Sequence, residues 1–342
     1  MNREELKTLC GLDGLSGRET AVRAYLQEQL TACPAVETMI VDPLGNLLVR
    51  VRGRQRAKQT VLFSAHMDEV GLIVTDVTAD GYLAVAPVGG VDAAVVYGHS
   101  VKVNGYLGVI AGKAIHQCSG DEKKTIPGFD KLLVDIGAAD QEEALGVAQP
   151  GDAVLFDSEW TDLGDDLCKA KALDDRAGCL LLLDLIRRQP AYDIVVSFVT
   201  QEEIGLRGAT VAGYTVQPDI AVVVETTTAA DLAGVSGPRQ VCRVGAGPVI
   251  SFMDGRTLYD DELYRHIRQM GDEAGIPTQT KTMVAGGNDA GALQQAGKGV
   301  RVAAISLPCR YLHSPACVLS WRDMEQTAAL VALLADSLPR ES

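Results

Sequence analysis

The chain lacks any apolar run long enough to cross a membrane. Its longest apolar stretches, such as residues 179–183, fall far short of the roughly 20 residues that a transmembrane helix needs. The first residues, MNREELKTLCGLDG, are charged and contain no apolar segment of the kind found in secretory signals. We therefore expect a cytoplasmic protein that has no membrane partner.

Paired cysteines are also missing. The eight cysteines lie far apart, with no Cys-x-x-Cys pair, and several of them stand within apolar stretches. Such scattered spacing is typical of reduced thiols inside cells, whereas a small disulfide-stabilised domain would show closely spaced cysteines. The pattern argues against a disulfide framework and favours the same cytoplasmic location.

Positive charge and aromatic side chains are scarce. The 31 Lys and Arg residues are outnumbered by 45 Asp and Glu residues, which gives a net charge of −14. Because nucleic acids are bound through basic surfaces, this balance argues against a nucleic-acid partner. Aromatic residues make up 5%, while 47% hydrophobic residues and a mean hydropathy of +0.09 are typical of globular proteins. A length of 342 residues indicates about two domains.

The pattern of residues changes twice along the chain. Residues 1–70 and 166–342 alternate apolar strand patterns with helical patterns, which predicts an α/β domain with a sheet covered by helices on both faces. Residues 71–165 are rich in Gly and Val in short alternating stretches, which predicts a small inserted all-β domain. Near the N-terminus, Ser16 and Glu19 have the spacing of a capping box before a helix.

Histidines and acidic residues stand where the predicted strands end. The strand over 60–65 is followed by His66 and Asp68, the strand over 193–200 by Glu202 and Glu203, the strand over 219–224 by Glu225, and the strand over 301–307 by a loop with His313, while Asp174 precedes a helix. Open α/β sheets bind their ligands beyond the carboxyl ends of their strands. We therefore expect these side chains to meet in one crevice.

The residue types in this set match the needs of a two-metal site. Imidazole and carboxylate ligands suit zinc, cobalt or manganese ions, and two such ions can share a water and lower its pKa. The site needs a bridging carboxylate, terminal ligands and one free carboxylate as base. The ligands available are His66, Asp174, Glu203, Glu225 and His313, with Glu202 as the base. Because neighbouring residues in a strand point in opposite directions, we expect Glu202 and Glu203 to differ in role.

Each of these features also has an ordinary structural explanation. Asp174 and Asp175 stand at a helix start, where aspartate caps free N–H groups. Consecutive acids such as Glu202 and Glu203 are common on solvated surfaces. Two further histidines, His99 and His266, we interpret as structural.

Five segments resemble the metal-site motifs of the M42 family of metallo-aminopeptidases, which includes glutamyl and tetrahedral aminopeptidases. They are SAHMDEVG, ALDDRAGC, TQEEIGLRGA, VVVETTTAADLAG and RYLHSP. They occur in the family order over nearly the whole chain, and the β-rich insertion lies where that family has its dimerisation domain. The resemblance implies a metallopeptidase-type mixed sheet flanked by helices, with an inserted dimerisation domain.

The resemblance also implies a role for each matching residue. His66 and His313 correspond to terminal ligands, Asp174 to the bridge, and Glu203 and Glu225 to carboxylate ligands of two divalent ions per subunit. Glu202 corresponds to the general base, and Asp68 to the acid that orients a metal-bound imidazole. The implied activity is removal of N-terminal residues from short peptides, by dimers that build into a tetrahedral dodecamer.

The chain departs from the family pattern at several positions. Glu225 stands where Asp is common, Cys317 where Glu is frequent, and GGND at 286–289 where Gly-Thr-Asp is commoner. His116 matches a histidine often found in the family's insertion, and it has either an active-site or a purely structural role. Two other functions remain open, a glycoside hydrolase that uses paired carboxylates and a non-catalytic relative.

Overall fold

The computed structural model describes residues 1–340, in which strands alternate with helices outside a β-rich segment; this segment also contains two short α-helices, so the prediction of an all-β insertion is only partly right. The strands are β1 (Val36–Val41), β2 (Leu47–Val51), β3 (Val61–His66), β4 (Gly71–Val77), β5 (Leu83–Val88), β6 (Ser100–Val103), β7 (Tyr106–Ala111), β8 (Leu133–Asp135), β9 (Ala153–Phe156), β10 (Thr161–Leu163), β11 (Leu167–Ala170), β12 (Ile194–Val199), β13 (Ile220–Thr228), β14 (Val249–Ile250), β15 (Gln279–Thr280), β16 (Arg301–Cys309) and β17 (Cys317–Ser320). The helices are α1 (Arg3–Gly11), α2 (Thr20–Thr31), α3 (Ala93–Val96), α4 (Gln141–Leu145), α5 (Leu173–Arg187), α6 (Arg207–Val216), α7 (Asp261–Ala274), α8 (Ala290–Leu293) and α9 (Trp321–Ser337). Within residues 1–340, each helix is too short or too polar to span a lipid bilayer.

Eight strands form the central sheet, in the order β1-β2-β12-β3-β13-β16-β14-β15. The four middle strands, β12, β3, β13 and β16, run parallel to one another. Antiparallel pairs flank them, with β1 on β2 and β2 on β12 at one side and β14 on β16 at the other. The α/β class and the mixed sheet predicted from the sequence are therefore confirmed.

The alternation of side chains along the middle strands explains why helices cover both faces of the sheet. In β3, Val61, Phe63 and Ala65 enter the larger apolar core, which also contains residues of α5 and α9. Leu62 enters a second core on the opposite face, with residues of α6 and α8. Since both faces are buried, the strand is an apolar run interrupted only by Ser64, whose buried hydroxyl accepts from Ser197, and His66 stands at its end.

The β-rich segment forms a closed six-stranded barrel. Its strands follow the order β4-β5-β8-β7-β6-β9, and an apolar core that includes Leu72, Val101 and Val154 fills it. The next strand, β10, lies inside the predicted 71–165 segment, yet it pairs with β11, which in turn pairs with β17. The barrel thus closes at β9, and β10 belongs to a separate three-stranded sheet.

The capping box predicted before α2 is wrong. The Ser16 hydroxyl donates to Oδ2 of Asp68 at 2.6 Å instead of capping a helix. Glu19 is itself the residue before α2, and its Oε1 accepts from the amides of Gly17 and Gln201. Both side chains therefore have tertiary partners that outcompete the local hydrogen bonds of a capping box.

A buried ion cluster fixes the chain just after β3. Both carboxylate oxygens of Glu69 accept from Lys171 Nζ, at 2.8 and 2.7 Å, and Oε1 also accepts from Arg176 at 3.2 Å. Arg176 donates further to the carbonyls of Leu9 and Met67. The cluster ties the end of α1, the end of β3 and the start of α5 together.

We expect Glu69→Ala to destabilise the fold strongly. The change would leave Lys171 and Arg176 buried without their carboxylate, and breaking such a pair typically costs about 3–5 kcal/mol. Thermal unfolding of the purified variant measures the effect. Glu262→Ala removes an exposed partner of Arg301 and should change the melting temperature little. Equal falls in melting temperature in the two variants would show that the buried cluster contributes no more to stability than the exposed ion pair.

Candidate metal centre

The acids and histidines singled out in the sequence line one cavity of about 530 Å³. It lies at the carboxyl ends of the parallel strands, where ligands of open α/β sheets bind. The predicted site residues on its wall are His66, Asp174, Glu202, Glu203, Glu225 and His313. Residues up to 247 positions apart in the chain thus reach one crevice, since the strands that carry them are neighbours.

His66, the last residue of β3, is held from behind and faces the cavity. Its Nδ1 lies 3.2 Å from the backbone oxygen of Asp68 and 3.4 Å from Oδ1 of the same residue. Its Nε2 lies 3.3 Å from Oδ1 of Asp174. Burial opposes protonation of the imidazole, but hydrogen bonds to Asp174 and Asp68 outweigh burial and raise the pKa of His66 well above its usual value. This arrangement, with one nitrogen bonded to a carboxylate, is typical of metal-binding histidines.

The two aspartates at the start of α5 have different partners. A cis peptide bond joins Asp174 to Asp175, and both have non-helical backbone angles. Oδ1 of Asp175 accepts from the amide of Gly178 at 2.8 Å, which is the capping role expected at a helix start. Asp174 faces the cavity, where Oδ1 lies 3.3 Å from Nε2 of His66 and Oδ2 lies 3.8 Å from Nε2 of His313. A carboxylate between two imidazoles is well placed to bridge two ions.

Glu202 and Glu203 lie in a turn, not in a strand. β12 ends at Val199, so the prediction that strand alternation separates the two acids is wrong. The turn is fixed by Asp68, whose Oδ1 and Oδ2 accept from the amides of Glu202 at 3.0 Å and Glu203 at 3.1 Å. Burial raises the pKa of both glutamates well above the usual value. Ligand atoms of Glu203, His66 and Asp174 lie within 4.8 Å of one another.

Glu225 projects from within β13, because the strand continues to Thr228 beyond the predicted end at 224. Its Oε1 accepts from Nδ2 of Asn288 at 2.5 Å and from the hydroxyl of Ser306 at 3.4 Å. Burial, followed by the charge of Asp174, raises the pKa of Glu225 to about 8. Sequence reasoning missed the role of Asn288, although the unusual GGND segment contains it.

His313 lies in a turn after β16, with its ring half exposed. Nε2 lies 3.2 Å from Oε2 of Glu203, and Nδ1 lies 3.1 Å from the carbonyl oxygen of Gly90. The buried thiol of Cys317 donates to the carbonyls of Tyr311 and Ser314 and so helps to hold this turn. His116 is exposed in the insertion and lies away from the cavity wall.

The donor set fits divalent metal ions. Each cavity histidine has one ring nitrogen beside a backbone oxygen, that of Asp68 for His66 and that of Gly90 for His313, and the other beside cavity carboxylates. Imidazole and carboxylate donors in this arrangement suit zinc, cobalt or manganese. Arg256 and Lys281 also line the cavity. Within residues 1–340 they are the only lysine and arginine on its wall. Neither residue stands at the end of a predicted strand or is a metal-ligand type, so no sequence pattern pointed to them.

A mixed sheet with histidines and acids gathered at its strand ends defines a metallopeptidase-type fold. The family model described as M42 glutamyl aminopeptidase matches residues 45–330. The chain belongs to the M42 family, and it is an aminopeptidase, a hydrolase that acts on peptides. The resemblance stated from the five sequence motifs is confirmed.

Individual relatives match over almost their full length. A putative aminopeptidase of Acetivibrio thermocellus is 33% identical over 329 residues, covering 95% of this chain and 96% of that protein. A TET aminopeptidase from a marine sediment archaeon of the Thaumarchaeota has a TM-score of 0.93 at 32% identity, covering 98% of this chain and 96% of that one. The TET1 peptidase of Pyrococcus horikoshii, described as assembling into a tetrahedron or a large octahedral shell, has a TM-score of 0.86 at 31% identity and covers 98% of this chain and 99% of its own.

We expect the metal-free protein to lose stability as the pH rises from about 4.5 to about 8. Folding raises the pKa of Glu225 from 4.5 to about 8, so its proton stabilises the folded state, and that stabilisation is lost as the proton leaves. The raised pKa of His66 acts with the same sign. Melting temperatures of chelator-treated protein between pH 5 and 8 test this. Glu225→Gln should flatten the dependence, and a melting temperature that rises with pH would contradict it.

Proposed function

We propose that the protein removes N-terminal residues from short peptides with a water activated by two divalent ions, zinc or cobalt and alternatively manganese. The observation that supports this most directly is the position of Asp174, whose two carboxylate oxygens face Nε2 of His66 and Nε2 of His313. When bound, the ions would polarise the scissile carbonyl and lower the pKa of a shared water.

Each cavity residue then has a specific task. His66 and His313 would act as terminal ligands, Asp174 as the bridge, and Glu203 and Glu225 as carboxylate ligands. Glu203 has its carboxylate near His313, while Glu225 keeps one oxygen on Asn288. Asp68, which is fully buried behind His66, positions the ring and does not touch the substrate.

Glu202 is the residue we propose for proton transfer. It lines the cavity on a turn whose backbone amide donates to Asp68. From there its carboxylate would take a proton from water and return it to the leaving amine. Burial raises the pKa of Glu202 well above its usual value, which is the direction in which enzymes tune a carboxylate that acts as general base.

Replacing Glu202 by Gln should abolish most of the turnover and leave metal content and fold unchanged. Glutamine has almost the same shape but cannot accept the proton, and loss of a general base costs about 10²–10⁴-fold in rate. Steady-state kinetics, with metal analysis of the same sample, measures the effect. A kcat close to that of the unmodified enzyme would show that another group is the base.

The cavity also indicates a preference for an acidic N-terminal residue. Arg256 and Lys281 line it in a protein whose net charge is −14, so they provide local positive charge near the cleavage site. The matching family model carries the description glutamyl aminopeptidase, which agrees with this charge. The stem of Arg256 lies on Gly287, where an added Cβ would come within 2.7 Å of the arginine Cγ. We propose Glu and Asp as the preferred N-terminal residues.

We expect glutamyl p-nitroanilide to be cleaved faster than the leucyl and lysyl compounds. Arg256→Met and Lys281→Met should each lower kcat/KM for the glutamyl substrate about tenfold, since a hydrogen bond to a charged group contributes roughly 1.5–3 kcal/mol. Activity on the leucyl substrate should change little. Arg265→Met, which removes an exposed arginine of α7, is the matched control. Equal losses on all three substrates would remove the two residues from substrate selection.

The same assays separate the alternative functions. A glycoside hydrolase would cleave a β-glucan and would keep its activity in the presence of a chelator. A non-catalytic relative would bind metal without turning over any aminoacyl substrate. Loss of aminoacyl hydrolysis on chelation, with recovery on adding zinc, cobalt or manganese, supports the two-metal aminopeptidase.

We propose that residues 1–70 and 166–342 form the catalytic domain and that the insertion, residues 71–165, is the dimerisation domain of a homo-oligomer, with the barrel of β4 to β9, and not β10, as the part that associates. Because the barrel is closed, it leaves no free strand edges for pairing, and association would have to use exposed side chains. Leu107, Ile115 and Ile126 on the insertion are each about two-thirds exposed. Contiguous exposed apolar patches often mark an interface, and we propose that these side chains belong to one. Dimers that build into a tetrahedral dodecamer would admit only short peptides.

Light scattering should give the mass of a dodecamer, or at least a dimer, at micromolar concentration. Leu107→Glu with Ile126→Glu should lower that mass, because burying two carboxylates in an apolar interface is costly. Leu163→Glu, at an exposed leucine outside the barrel, should not. A monomeric mass for the unmodified protein would contradict the proposed assembly.

We also propose that the protein works in the cytoplasm. All eight cysteines are free thiols in the structure, and six of them lie in the apolar cores. Free buried thiols are typical of reducing compartments. Fractionation of the source cells with an antibody against the protein would test this location.

A further inference from the structure

The two ring nitrogens of His313 have partners from different parts of the molecule. Nε2 faces Glu203 at 3.2 Å and Asp174 at 3.8 Å, both from the α/β domain. Nδ1 lies 3.1 Å from the carbonyl oxygen of Gly90, which belongs to the insertion and is 223 positions away in the chain. The insertion therefore contacts the metal centre through a backbone group.

Packing alone does not hold the His313 ring. Its side chain is 39% exposed, whereas that of His66 is 4% exposed. Tyr311 and His313 have φ angles of 61° and 56°, in a region that costs a non-glycine residue about 1–3 kcal/mol. The hydrogen bonds made by Ser314 and Cys317 fix the backbone of this turn but not the ring. The ring orientation must come from its polar partners.

Two consecutive glycines let the insertion approach this closely. A Cβ on Gly90 would lie 2.9 Å from Nδ1 of His313, closer than real Cβ contacts occur. A Cβ on Gly89, which has a φ of +82°, would lie 2.7 Å from Val70 Cγ1 and 3.3 Å from the Cβ of Glu203. The glycine pair thus packs against two of the proposed ligands, and a side chain at either position would displace its neighbours.

We infer that the Gly90 carbonyl is a positioning group for His313, so that the insertion is part of the metal centre as well as an association domain. The carbonyl accepts the proton of Nδ1, and this selects the tautomer whose Nε2 lone pair faces Asp174 and Glu203. His66 obtains the same orientation from Asp68 within the α/β domain. The inference rests on the proposed function, because it assigns His313 as a ligand.

Gly90→Ala in the full-length protein tests this inference, with Gly120→Ala as the matched control. Both glycines lie in the insertion with φ outside the left-handed region, but a Cβ on Gly120 meets no atom within 4 Å. Titration of chelator-treated protein with Co²⁺, followed by calorimetry and visible absorption, should show one ion bound about 10–100-fold more weakly in Gly90→Ala. The Gly120→Ala variant should match the unmodified protein. Unchanged affinity and spectrum in Gly90→Ala would overturn the inference.

A double-mutant cycle separates positioning from general damage to the fold. Aspartate in place of His313 keeps a ligand but has no Nδ1 for the Gly90 carbonyl to orient. Adding Gly90→Ala to His313→Asp should therefore weaken Co²⁺ binding no further, whereas a general disturbance of the site would weaken it again and contradict the inference. If the unmodified protein itself binds no Co²⁺ in the cavity, the proposed function fails. If it binds two ions and Gly90→Ala binds both equally well, only the positioning role fails.

Discussion

The buried carboxylate of Asp68 is the interaction on which the rest of the site depends. It accepts from the hydroxyl of Ser16 at 2.6 Å and from the amides of Glu202 and Glu203 at 3.0 and 3.1 Å, and it lies 3.4 Å from Nδ1 of His66. Burial alone would raise its pKa, but hydrogen bonds from His66 and Ser16 lower the pKa of Asp68 below its usual value. One ionised group therefore orients the first histidine and the turn that carries both glutamates.

Concentrated negative charge is the second constraint on this site. Burial raises the pKa of Glu202, Glu203 and Glu225. In the metal-free cavity, ionising all three carboxyl groups is therefore unfavourable. Divalent cations would offset that charge and release the protons, which couples metal binding to pH. Glu69, just after β3, is paired with its own cations, Lys171 and Arg176.

The sequence predicted the parts of the site that follow from strand order. His66 lies at a strand end and Asp174 at a helix start as expected, because apolar runs and capping residues are local patterns. Glu202 lies in a turn whose geometry Asp68 determines, so the strand alternation from which its separate role was predicted is absent. The contact between Gly90 and His313 joins residues 223 positions apart, and no local pattern in the sequence encodes it. Closure of the barrel is equally a property of long-range pairing.

Anomalous diffraction from crystals of the zinc-loaded protein tests the central claim most directly, since it locates each ion independently of activity. Data collected on both sides of the zinc absorption edge should give two peaks in the cavity, about 3.5–4 Å apart, as in two-metal hydrolytic sites. The Asp174 carboxylate should lie between the peaks, with His66 beside one and His313 beside the other. A single peak, or peaks that do not touch Asp174, would contradict the account.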